Sequence, residues 1–246
     1  MLEVDIDALL TCIGENEATL LAGSTLDTTE QGGFVLYLSV KGNDSAGINN
    51  YGVRVRNGKT LRDVHGLTIV SDQALYVQGD YNSTAAWKPA AFIADSFNVL
   101  SRAYDNDGHD SRQNLGARIA ESTSLFAAVL SGTDTTFCGG QPESTCEEGH
   151  IGSGSGDSVY NGGLENYPRF NEKWTDKTLH YRGSFTSLGR PQHVQGKWSG
   201  TGGYYNPPIR DWDYDTRFNN VEDLPPMTPR ASYLVQERFS RDFRDY

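Results

Sequence analysis

Hydrophobic and polar positions alternate most clearly between residues 66 and 82 (GLTIVSDQALYVQGDYN). There Leu75 and Val77 fall on one face and Tyr76 and Gln78 on the other. Two short β runs, 67–70 and 74–78, are separated by Ser71, Asp72 and Gln73 and closed by Gly79 and Asp80. A three-residue join predicts either a hairpin or a corner between two sides of a β-solenoid coil. The same texture extends along the chain, in runs at 34–40, 49–56, 88–95, 96–100, 123–130, 177–182 and 184–188. Val53 and Val55 share a face, and Asn57-Gly58 beyond them is a tight-turn signal. Residues 1–30 are patterned differently: Ile6, Leu9, Leu10 and Ile13 recur at helical spacing and predict a short helix.

Short apolar runs with Gly, Asn or Asp corners recur about every 20 to 25 residues, the spacing of single-stranded β-helices. The predicted fold is therefore all-β: a right-handed β-helix over residues 31–246, preceded by an N-terminal segment at 1–30. A β-sandwich is the alternative, since it produces similar strings. Residues 131–163 form a long loop rich in Gly, Ser and Thr. The last sixty residues carry Tyr204, Tyr205, Trp212 and Tyr214 among repeated prolines, and are expected to wrap or cap the solenoid.

Composition narrows the function. The chain has 246 residues, 27 of them glycine, and a net charge of −11 from 21 basic and 32 acidic residues. An acidic surface disfavours nucleic acid and anionic membranes, because phosphate attraction dominates such binding. The longest apolar run, 34–40, is one strand long and spans no bilayer. The first residues lack the basic and apolar regions of a signal peptide, so the chain is expected either to be cytoplasmic or to be a fragment whose targeting segment has been removed.

Candidate chemistry is sparse. Asp105, Asp107 and Asp110 flank Gly108 as the oxygen-rich half of a calcium loop, yet position 116 is Gly where an EF-hand has its bidentate Glu. These three are the candidate metal ligands; a solvated polar turn is the competing reading. Cys138 and Cys146 bracket a polar loop that lets them approach as a disulfide, or they remain two free thiols. Cys12, between apolar neighbours, is expected to be buried. Asp211, Asp213 and Asp215 around Trp212 invite a glycosidase reading, but nothing in the sequence separates their pKa values. Trp198, Tyr204 and Trp212 are the candidate glycan-stacking rings. The five histidines lack metal-ligand spacing, and no nucleophile elbow, Walker loop or dinucleotide fingerprint is present.

Several stretches together carry a family likeness: 66–82, 88–101 (KPAAFIADSFNVLS), 127–136 (AAVLSGTDTT), 160–170 (YNGGLENYPRF), 178–188 (TLHYRGSFTSL), 205–218 (YNPPIRDWDYDTRF) and 224–243. In this order they resemble the hormogonium polysaccharide biosynthesis proteins (HpsA) of filamentous cyanobacteria. The resemblance implies an exported, surface-exposed protein linked to type IV pili, secreted polysaccharide and gliding motility. It supplies no catalytic residues. The expected function is an extracellular structural protein that self-associates into filaments and contacts polysaccharide; a polysaccharide-active enzyme and a monomeric glycan-binding module are the rivals.

Overall fold

The computed structural model describes residues 1–41, 51–104, 113–132, 167–189 and 205–229. Nine strands form in these residues: β1 (Leu2–Asp5), β2 (Phe34–Tyr37), β3 (Gly52–Arg56), β4 (Leu67–Gln78), β5 (Ala90–Leu100), β6 (Thr123–Ser131), β7 (Arg169–Phe170), β8 (Thr178–Ser187) and β9 (Ile209–Tyr214). They make one sheet in the order β1-β3-β4-β5-β6-β8-β9, with β2 beside β4 and β7 beside β5. Every one of these pairings is parallel.

The expected solenoid is corrected by this topology. One large parallel sheet with few helices stands where separate coil faces were expected, and the antiparallel sheets of a sandwich do not form among the described residues. The polar triplet at 71–73 shows why the expectation fails. It turns no corner and closes no hairpin: β4 runs through it as a single 12-residue strand. The register against β5 shifts between Ser71 and Ala74, so the triplet is a local irregularity of the ladder. Most of its polar groups are met in place, the buried Gln73 Oε1 excepted. Gln73 N–H donates to Ser71 Oγ (3.2 Å), and the Asp72 carboxylate accepts from Gln73 Nε2 (3.2 Å) and Ser39 Oγ (3.2 Å). The runs at 88–95 and 96–100 likewise join into β5. Asn57, at φ 58°, does end β3, but the next strand is parallel to β3 and no hairpin follows.

Alternation sets the two faces. Leu67, Ile69, Leu75 and Val77 of β4 meet Phe92, Phe97 and Val99 of β5 and Leu125, Ala127 and Val129 of β6 in one continuous core. Parallel strands lie close to hydrophobic on such a buried face. The helix α1 (Ile6–Glu15) follows β1 and buries Ile6, Leu10 and Ile13 against this core. Asp5 starts α1: its Oδ1 accepts from Ala8 N–H (3.1 Å) as an N-cap. Cys12 lies on the solvent side of the helix, so the expectation of a buried thiol is also corrected.

Candidate functional site

Polar and aromatic side chains converge where the sheet ends, at β8 and β9. Register dictates who meets whom. On the outer face Ser124, His180 and Asp211 lie side by side across β6, β8 and β9, and Phe126, Arg182 and Asp213 form the next row. His180 Nδ1 sits 2.7 Å from Asp211 Oδ2, and Arg182 Nη2 donates to Asp211 Oδ1 at 3.0 Å. The His180 contact, and after it the Arg182 guanidinium, hold the Asp211 carboxyl below its usual range.

A Ser-His-Asp order invites nucleophilic chemistry, but this row lacks what such chemistry needs. The Ser124 hydroxyl makes no hydrogen bond to His180. Ser124 N–H, which an oxyanion would need free, donates instead to the Asp80 carboxylate at 2.9 Å. His180 and Asp211 are also about half exposed on an open sheet face. The row is a surface contact of His180 with Asp211, whose carboxylate also pairs with Arg182 of the next row.

The inner face of the same strands is aromatic. Tyr181 and Phe185 stack with centroids 4.1 Å apart and planes 9° apart, and Trp212 meets Phe185 edge-on at 5.5 Å. Gly183 makes the stack feasible. A Cβ there would collide with the Ala127 carbonyl and crowd the Tyr181 hydroxyl. That hydroxyl lies 2.8 Å from Ala127 O and 3.0 Å from Ser184 O, and burial pushes its pKa up. The Arg210 guanidinium lies 5.0 Å from the centre of the Trp212 ring. Beside these rings is an open depression of about 400 Å³, lined by Tyr181, Gly183, Ser184, Phe185, Trp212, Asp213 and Tyr214. The Tyr214 ring is exposed at its rim.

A second hollow, of about 260 Å³, lies on the outer face between β5, β6 and β8 and the chain at 218–229. The small side chains Ala91, Ala128 and Ser184 share one row of the register and floor it. Pro225 and Pro226 pass over it, fixed by Thr68 Oγ1 donating to Pro226 O (2.7 Å). Arg217 anchors the start of this segment, its guanidinium 4.0 Å from the Trp87 ring and its Nη2 2.7 Å from Asp215 Oδ2. The proline-rich segment therefore packs across the sheet at this point.

No family model, curated protein or solved structure matches the chain.

Of the three candidate glycan-stacking rings, Trp212 alone lies within the described residues, at this end of the sheet. It is half-buried, with the aromatic core on one side and Arg210 nearby, so it is not a freely exposed platform. Trp198 and Tyr204 lie outside the described residues, as do Asp105, Asp107 and Asp110 and the pair Cys138 and Cys146. Among the described residues, no group of three or more His, Cys, Asp or Glu side chains is placed to hold a metal ion. The three aspartates around Trp212 do not act as a set. Asp211 and Asp213 face solvent, while Asp215 is buried and caps the turn Thr216–Asn219 by accepting from Arg217 N–H (3.1 Å). Sequence reasoning missed Tyr181, Gly183, Phe185 and Arg210. The alternation of β8 marked Tyr181 and Phe185 as one face, but only the register joins them to Trp212.

Proposed function

We propose that this chain is a non-catalytic structural protein of the cell surface that contacts extracellular polysaccharide at the β8–β9 end of its sheet. The carrying observation is the open depression at the Trp212, Phe185 and Tyr181 rings, with Arg210, Asp213 and Tyr214 beside it. Sugar rings offer apolar C–H faces to aromatic side chains and hydroxyls to charged ones. An open depression also suits a polymer passing across it better than a small molecule that must be enclosed. Dispersed charge supports the non-catalytic reading. At this end of the sheet the Asp211 carboxyl is displaced downward, as in a salt bridge; a general acid needs the opposite.

Electrophoresis through gels containing dissolved polysaccharide tests this. Neutral and acidic polymers are expected to divide, with at least one retarding the protein and Tyr214→Ala or Trp212→Ala releasing it. Tyr214 is about half exposed and also meets Phe218, so a melting curve of each variant separates a lost contact from a lost fold. Unchanged mobility of the parent protein in every polymer would sink the proposal.

Self-association is a second reading, favoured by the outer edge of β9, which no other described strand pairs. Ile209 N–H and Asp215 N–H donate to Lys177 O (2.8 Å) and Gly183 O (3.1 Å), so odd positions face β8. The backbone groups of Arg210 and Trp212 point the other way and meet no partner among the described residues. Such an edge can template another strand. Arg210→Pro removes an outward N–H while leaving the β8 ladder intact. Filaments or oligomers that survive this change, seen by sedimentation and electron microscopy, do not assemble through β9.

A further inference from the structure

We propose that Asn57-Gly58 is a site of spontaneous covalent modification whose reaction loosens the helix covering the first edge of the sheet. Asn57 is exposed, and the residue after it carries no side chain to hinder attack on its amide. The Gly58 backbone nitrogen attacks Asn57 Cγ, a C–N bond forms, and ammonia leaves, giving a succinimide. Water then opens the ring to aspartate or isoaspartate, so one amide nitrogen is exchanged for one oxygen and a carboxylate appears.

The fold restricts what can replace this dipeptide. Position 58 must be glycine, because a Cβ would collide with the buried Tyr81 ring. Position 57 has φ 58°, a left-handed conformation that Asn, Asp and Gly tolerate best. The packing that fixes the end of β3 therefore also keeps the labile pair.

The consequence follows from one carboxylate with two tasks. Asp5 Oδ2 accepts a hydrogen bond from Asn57 Nδ2 at 2.7 Å, while Asp5 Oδ1 caps α1 through Ala8 N–H. Deamidation removes that donor and sets a second carboxylate against Asp5. An attraction becomes a repulsion at the residue where β1 ends and α1 begins. α1 is what lays Ile6, Leu10 and Ile13 over the core, so strain at its cap is felt by the whole first edge.

The test has two arms on the full chain. Incubation at mildly alkaline pH followed by peptide mass mapping should show conversion at Asn57, with Asn161, which also precedes glycine, as the comparison. In the second arm Asn57→Asp should lower the melting temperature by about 2–4 °C. Combining it with Asp5→Asn should recover most of that loss, since the introduced amide still caps α1 through its oxygen and offers its N–H to the new carboxylate. Asn57 remaining intact while Asn161 converts would overturn the modification. An equal loss for Asn57→Asp in the parent chain and in the Asp5→Asn background would overturn the coupling.

Discussion

The two edges of the sheet solve the same problem by different means. A terminal strand leaves backbone groups and one flank of the core without a neighbour. At the first edge the chain covers that flank: β1 runs into α1, whose apolar stripe lies on the core. Polar contacts fasten the cover, with Glu3 pairing Arg54, Asp5 holding Asn57 and Asp7 meeting Arg62 at 2.9 Å. At the last edge no helix arrives among the described residues, and β9 is exposed or half-exposed throughout. Here three of six residues are charged, and Asp213 Oδ1 accepts the outward Tyr214 N–H at 2.8 Å. Charge and a self-satisfied amide protect an edge that packing leaves open. The covered edge offers little to a ligand, whereas the charged one can carry function without exposing core.

That contrast breaks first at Gly183. If β8 and β9 were only a frayed margin, a methyl group there would be harmless. The neighbour it would strike is the backbone carbonyl of Ala127, which cannot swing aside as a side chain can. Gly183→Ala should therefore cost about 3 kcal/mol, near the top of the overpacking range, as a lower urea midpoint. An unchanged midpoint would show that the aromatic end is loosely held. The covered edge gives the next effect. Leu10 is 1% exposed, and Leu10→Ala should cost about 2.5 kcal/mol, toward the low end for buried leucine because a helix at an edge can relax into the space. A cost below about 0.5 kcal/mol would mean that α1 does not cover the core, since surface substitutions fall in that range.

Much of each edge was legible in the residues, and their assembly was not. The spacing of Ile6, Leu10 and Ile13 is the stripe that α1 buries, and the alternation at Leu75 and Val77 marks the core face of β4. These are local periodicities, fixed by the geometry of one element. Which strands pair, and in which direction, depends on contacts such as Leu67 beside Ala90 and Thr123 beside Leu179, which no short window contains. Ser71, Asp72 and Gln73 misled for a related reason: polar residues mark a corner only if the ladder cannot absorb them, and here it does. Trp212 stood out as a ring, yet its packing on Phe185 and its approach to Arg210 needed the register of β8 against β9.

The smallest effect sharpens the comparison most, because it concerns charge alone. His180 and Arg182 hold the Asp211 carboxyl below its ordinary value of 3.8, so the folded chain binds that proton less readily than the unfolded chain. The contribution of this contact is fully present above the ordinary value and is lost as pH falls through the lower folded one. Unfolding midpoints measured from pH 6 downward should therefore show an acid-side slope that Asp211→Asn reduces. At neutral pH the substitution should change little, and added salt should shrink even that, because the group is exposed and screened. At the first edge, by contrast, the loss in Leu10→Ala comes from buried apolar contact and should persist in salt. If salt erased both losses alike, the first edge would be held by its surface charges and the distinction between a covered and a charged edge would fail.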